Sequence, residues 1–78
     1  MKNKIIGIEN VNYVNKNGKQ IEGMKFYFTY PVRDVIGGKP ADCYVSKYIL
    51  ERSVKIPELG DEVEFFYDHS GRVTRIEY

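Results

Sequence analysis

The sequence predicts an all-β domain, or a mostly β one with a single short helix, whose five strands curl into a small barrel. Three observations predict it. Apolar and polar residues alternate over several short stretches, most plainly in MKFYFTYP at 24–31. Asn-Gly, Pro and Gly signals punctuate the chain between those stretches. One stretch alone, 47–52, reads as helix. A strand set this dense, with so little helix to cover it, hides its apolar faces by curling on itself. At 78 residues the chain is a single domain, 1–78, near the lower size at which one core holds unaided.

The elements follow in order. Residues 4–14, KIIGIENVNYV, form the first strand; Ile6 and Ile8 share one phase and Val11 and Tyr13 the other, so a bulge is expected near Glu9-Asn10. Asn17-Gly18 tolerates the positive φ values of a type I′ turn and closes a hairpin. The second strand, 20–30, places Met24, Phe26, Phe28 and Tyr30 inward and Lys25, Tyr27 and Thr29 outward, with Gly23 at a bend. PVRDVIGGKP, 31–40, reads as a loop. A third strand starts at Ala41, with Cys43 and Val45 on one face and Asp42 and Tyr44 on the other. Ser46 then caps a helix over Lys47–Arg52, the alternative being a strand that continues through Tyr48. Pro57 and Gly60 bracket a turn before EVEFFY, whose inward phase is Val63, Phe65 and Tyr67. DHSG, 68–71, has the Asp and Gly of a type I turn ending in a left-handed glycine, and RVTRIEY is the fifth strand. Phe26, Phe28, Val45, Val63 and Phe65 are expected to be buried together.

Composition excludes several classes. Cys43 is the single cysteine, so there is no intramolecular disulfide or cysteine-based metal site, and a reducing compartment is expected. No apolar run approaches the roughly 18 residues of a spanning helix, and the start MKNKIIGIEN lacks a secretory apolar region. The expectation is a cytoplasmic protein with no membrane partner and no cofactor. Net charge is +1, unevenly spread: residues 1–56 carry ten Lys and Arg against five Asp and Glu, and residues 57–78 carry two against six.

Catalysis finds little support. His69, the lone histidine, sits in a turn beside Asp68 and Ser70, and turn neighbours do not converge as nucleophile, base and orienting group. Cys43 reads as a small buried hydrophobe. Gly37-Gly38-Lys39 lacks the remaining spacing and the hydroxyl of a phosphate loop. Glu58, Asp61, Glu62 and Glu64 lack calcium-loop spacing and read as solvated surface. The chain is not expected to be an enzyme.

The order β-β-β-α-β-β, with a long bent first strand and a helix between strands three and four, resembles the OB-fold. Within it the chain is similar to the small, tyrosine-rich single-stranded-DNA-binding proteins of phages and mobile elements. An SH3-like barrel would use nearly the same strands. The resemblance implies binding of single-stranded DNA or RNA. The acidic last hairpin would repel phosphates, so a groove is expected over strands one to three.

The aromatics point the same way. Seven tyrosines and four phenylalanines exceed what so small a core can hold; the phenylalanines and Tyr67 are assigned inward phases. Tyr27 and Tyr44 fall in outward phases, and Tyr13 joins them depending on the bulge. Lys25 flanks Tyr27, with Lys19, Lys39 and Lys47 near in sequence. Bases stack on tyrosine faces without demanding sequence, and lysines neutralise phosphates. Tyr13, Lys19, Lys25, Tyr27, Lys39, Tyr44 and Lys47 are therefore the candidate nucleic-acid-binding residues. The alternative is a protein-interaction module, a homodimer or an adaptor, using the same aromatic face.

Overall fold

A computed structural model describes residues 2–31, 33–34, 36 and 38–78. Five strands and one helix follow in the order β1 (Asn3–Val14), β2 (Gln20–Pro31), β3 (Gly38–Ser46), α1 (Lys47–Arg52), β4 (Glu62–Tyr67) and β5 (Val73–Glu77). All ladders are antiparallel, in one sheet of order β3-β2-β1-β4-β5. The edge strands β3 and β5 lie near each other, but no ladder joins them among the described residues. The chain is thus mostly β with one short helix, and its sheet stays open along the β3–β5 seam.

The core follows the strand phases. Ile5, Phe26, Phe28, Cys43, Val45, Leu50, Val63, Phe65, Val73 and Ile76 form one buried cluster. Its centre is aromatic: the Phe65 ring stands 5.8 Å from Phe26 and 5.4 Å from Phe28, both tilted. The five residues expected to be buried together are all in this cluster.

β1 bulges at Ile6 rather than at Glu9-Asn10: Ile5 opposes Phe28 and Gly7 opposes Tyr27, leaving Ile6 over. The inward residues are therefore Ile5, 1% exposed, and Ile8, while Ile6 is turned out at 52%. Past the bulge, Gly7, Glu9, Val11 and Tyr13 share the outward face of the sheet. β1 meets β4 through Asn3 and Lys4, and Ile5 extends that contact: its N–H donates to the Asp61 carbonyl at 2.9 Å and its carbonyl accepts from Gly60 N–H at 2.9 Å. Among the described residues, β1 pairs from Gly7 to Val14 with β2 alone.

The β1–β2 turn has a different geometry from the expected type I′. Gly18 is left-handed, with φ 77°, but Asn17 is not. Gly18 N–H donates to the Asn15 carbonyl at 3.0 Å and Asn15 N–H to the Lys19 carbonyl at 2.9 Å. This is a type I turn ending in a glycine bulge. The Asn15 side-chain oxygen stabilises it by accepting from the N–H groups of Asn17 and Lys19, both at 2.9 Å.

β3 begins at Gly38, three residues before the expected Ala41, because Pro40 does not stop it: Pro40 opposes Thr29 at a sheet edge, where a missing N–H costs no ladder bond. Of the expected loop 31–40, Pro31 belongs to β2 and Gly38–Pro40 to β3; Val32, Val35 and Gly37 lie outside the described residues. The helix has the expected bounds, and the continued-strand alternative falls. Ser46 stays extended at φ −68° and its hydroxyl accepts from Ile49 N–H at 3.4 Å, which ends the strand and starts the helix together. The β4–β5 turn also forms as expected. Gly71 is left-handed at φ 85°, and Asp68 accepts from the N–H groups of Ser70 and Arg72 at 2.9 and 3.0 Å.

Two inward assignments are corrected, those of Tyr67 and Phe66, the latter taking the outer phase that the alternation of EVEFFY gives it. The ladder shifts between Phe66 and Tyr67, so Tyr67 swings to the rim and is 49% exposed. Phe66 is half-buried on the outer side of its strand, with the Arg75 guanidinium 4.2 Å above its ring.

Candidate functional site

Two outward tyrosines of the β1–β3 face, Tyr27 and Tyr44, each sit beside a glycine. Tyr27 pairs with Gly7, and a Cβ on Gly7 would come within 3.2 Å of the Tyr27 ring. Tyr44 leans across Gly23: its hydroxyl donates to the Glu22 carbonyl at 2.7 Å. A Cβ on Gly23 would lie 2.7 Å from that hydroxyl oxygen and 2.2 Å from the Val45 carbonyl oxygen. Rings take the space that side chains would fill elsewhere, so these glycines specify where the tyrosines lie.

Polar partners fix the same rings. Tyr27 donates to the Glu9 carboxylate at 2.9 Å, and that bond, with some burial, raises its phenol above the ordinary pKa. Burial, then the neighbouring Tyr13 and Glu22, raises that of Tyr44. Tyr13 opposes Ile21 near the end of the hairpin and is 56% exposed, on the same face as Tyr27 and Tyr44.

Charges alternate across this face. Lys25 lies 3.7 Å from Asp42 and 5.6 Å from the centre of the Tyr27 ring, and it opposes Glu9 on β1. Lys47 reaches Glu22 at 3.3 Å. Among the described residues a continuous basic patch does not form here, because Lys25 has Glu9 and Asp42 as cross-strand neighbours and Lys47, on α1, pairs with Glu22.

The seam between β3 and β5 holds an open groove of about 960 Å³. Lys19, Tyr44 and Lys47 line it, as do three residues that sequence reasoning did not select, Tyr48, Tyr67 and Arg72. Tyr44, Tyr48 and Tyr67 are 39%, 63% and 49% exposed. Tyr48 comes from α1, where Arg52 Nη1 donates to its hydroxyl at 2.6 Å and stacks 5.0 Å from its ring centre. The groove walls also carry Glu22, Asp42 and Asp68. The Asp68 carboxyl is held below the ordinary value, first by the Ser70 hydroxyl and then by Arg72 N–H.

The candidate residues therefore divide. Lys19, Tyr44 and Lys47 meet in the groove; Tyr13, Lys25 and Tyr27 lie on the adjoining outer face. Lys39 opposes Tyr30, five positions and roughly 16 Å along β3 from Tyr44, and joins neither. Tyr48 passes in the sequence for helix core. Tyr67 passes for strand core until the shift at Phe66 is known. Arg72 carries one usable signal, its place after the left-handed Gly71.

In the lining of the groove, burial pushes the Cys43 thiol up to about 12, against a smaller lowering by the neighbouring Tyr67 hydroxyl. His69 is exposed on its turn, and no cluster of metal-ligating side chains occurs among the described residues. No helix among them is long and apolar enough to cross a membrane. Comparison of the chain with protein-family models, with curated proteins and with solved structures returns no match.

Proposed function

We propose that the chain binds single-stranded nucleic acid, DNA or RNA, with little sequence preference, in the groove along the β3–β5 seam. One observation carries the reading. Three half-exposed tyrosines, Tyr44, Tyr48 and Tyr67, and three cations, Lys19, Lys47 and Arg72, gather there from four separate parts of the chain. Stacking on such rings contributes about 1–3 kcal/mol per base and tolerates any sequence. The lining elements, the β1–β2 turn, the β2–β3 region and the β4–β5 turn, are those through which OB-folds hold oligonucleotides, which supports the reading by resemblance.

The carboxylates of Glu22, Asp42 and Asp68 offset the groove's cations, so stacking carries more of the affinity than charge does. No ion pair engages Lys19 among the described residues, whereas Lys47 is paired with Glu22, so Lys19 is free to meet a phosphate.

A second reading, a protein-interaction module on the outer face of β1–β3, is favoured by the alternation of Glu9, Lys25 and Asp42 around exposed tyrosines. Such mixed charge suits a protein surface better than a phosphate backbone.

Fluorescence polarisation with labelled oligo-dT at two salt concentrations tests the first reading. Saturable binding that weakens modestly with salt is expected, with a slope of about two phosphate contacts. If low salt gives no saturable binding, the nucleic-acid reading fails and the interaction module takes its place.

A further inference from the structure

We propose that the chain pairs with a second copy of itself along the open edge of β1, in antiparallel register about Val11. The hydrogen bonding of β1 says which backbone groups are free. Asn15 N–H bonds to the Lys19 carbonyl, so Asn15 faces β2. In an antiparallel ladder the facing alternates residue by residue. Tyr13, Val11, Glu9 and Gly7 therefore also bond to β2, while Val14, Asn12, Asn10 and Ile8 turn their N–H and C=O groups away. The other end of the strand agrees: Ile5 faces away from β2, toward Asp61 and Gly60, and the single extra residue at Ile6 moves the outward set from odd to even positions.

No strand receives these groups among the described residues, since β4 stops at Asn3 and Lys4. The edge also lacks the usual protection. From Gly7 to Val14 there is no proline and no lysine, and Glu9 is the single charge.

The occupant is a second copy because the edge is complementary to itself. An antiparallel pair centred on Val11 sets Ile8 opposite the partner subunit's Val14 and Asn10 opposite the partner subunit's Asn12. That register satisfies every outward group from Ile8 to Val14 in both copies, as a two-fold interface requires. Glu9 then faces the partner subunit's Tyr13, so no like charges meet. Val11 meets its own copy as a non-hydrogen-bonded pair, the closest kind. The joined sheet would run from β3 of one copy to β3 of the other, placing both sets of Tyr13, Tyr27 and Tyr44 on one continuous face.

Sedimentation velocity of the full chain over a concentration series tests the proposal, independently of oligonucleotide binding. A monomer–dimer equilibrium is expected, with little response to salt. Val11→Lys sets two ammonium groups across the two-fold and should weaken self-association by about tenfold. Asn12→Pro removes an outward N–H, keeps the backbone ladder to β2 while losing the Gln20–Asn12 side-chain bond, and should also favour monomer; circular dichroism confirms that each variant is folded. Val11→Cys should form a disulfide-linked dimer on mild oxidation, because the close pair suits that bridge, whereas Gln20→Cys, outside the paired register, should not. A monomer at every concentration overturns the proposal. So does a dimer that both substitutions leave intact and that Val11→Cys fails to cross-link.

Discussion

Tyr44 occupies the space beside Gly23 that a side chain would need: a Cβ there would lie 2.7 Å from its hydroxyl oxygen and 2.8 Å from its ring. The same Cβ would stand 2.2 Å from the Val45 carbonyl oxygen, which is backbone and cannot swing aside. Gly23 thus makes a close β2–β3 approach possible and aims one wall of the groove.

Gly23→Ala should destabilise the fold by about 1–3 kcal/mol, the usual range for forcing atoms into a packed site. It should also weaken ligand binding, because Tyr44 must move. Gly18 has open space but φ 77°, so Gly18→Ala should cost about 1–2 kcal/mol through backbone strain and leave the groove unchanged. Thermal unfolding of both, beside oligonucleotide titration, separates the two mechanisms. Equal binding losses would refute the assignment of Gly23.

Phe26→Ala should cost about 3–5 kcal/mol. Phe26 is fully buried against Phe65, and the loss is a large part of the stability of so small a domain. Urea unfolding should show a sharply lowered midpoint or no folded baseline. A variant that unfolds like the parent would mean that the core has been misplaced.

Tyr48→Ala should weaken oligo-dT binding by about 1–3 kcal/mol while leaving the melting temperature nearly unchanged, since the ring is 63% exposed. Lys19→Ala should lower the salt slope by about one. Tyr27→Ala, on the outer face, should affect binding less than Tyr48→Ala does. The reverse order in a polarisation titration would move the site from the groove to the β1–β3 face.

Stability should fall as pH rises from about 9 toward 12. Burial raises the Cys43 thiol from 9.0 to about 12, and burial also raises the phenols of Tyr67 and Tyr78 from 10.0 to about 12. In that window the unfolded chain has released protons that the folded chain still holds, so alkali favours unfolding. Urea midpoints across the range should decline, and Cys43→Val should remove the part that begins near pH 9. Iodoacetamide should label Cys43 at the rate of unfolding at neutral pH; rapid labelling of the folded protein would contradict its burial.

What the sequence determined by itself is local. Alternation in MKFYFTYP and EVEFFY sets which residues can share a face, Asn17-Gly18 and Asp68–Gly71 set where the chain reverses, and Ser46 supplies the hydroxyl that starts α1. Such signals lie within a few residues of what they decide, so they are legible without the rest of the molecule. Tertiary structure decided the remainder. The bulge at Ile6 depends on which of two adjacent isoleucines the distant Phe28 accepts as its neighbour. Pro40 is a strand residue because β3 happens to be an edge. The groove exists because the β4–β5 turn comes back beside β3 and α1, joining Lys19, Tyr44, Tyr48 and Arg72. Their meeting rests on contacts between segments far apart in the chain, and no short-range pattern of residue types encodes such contacts.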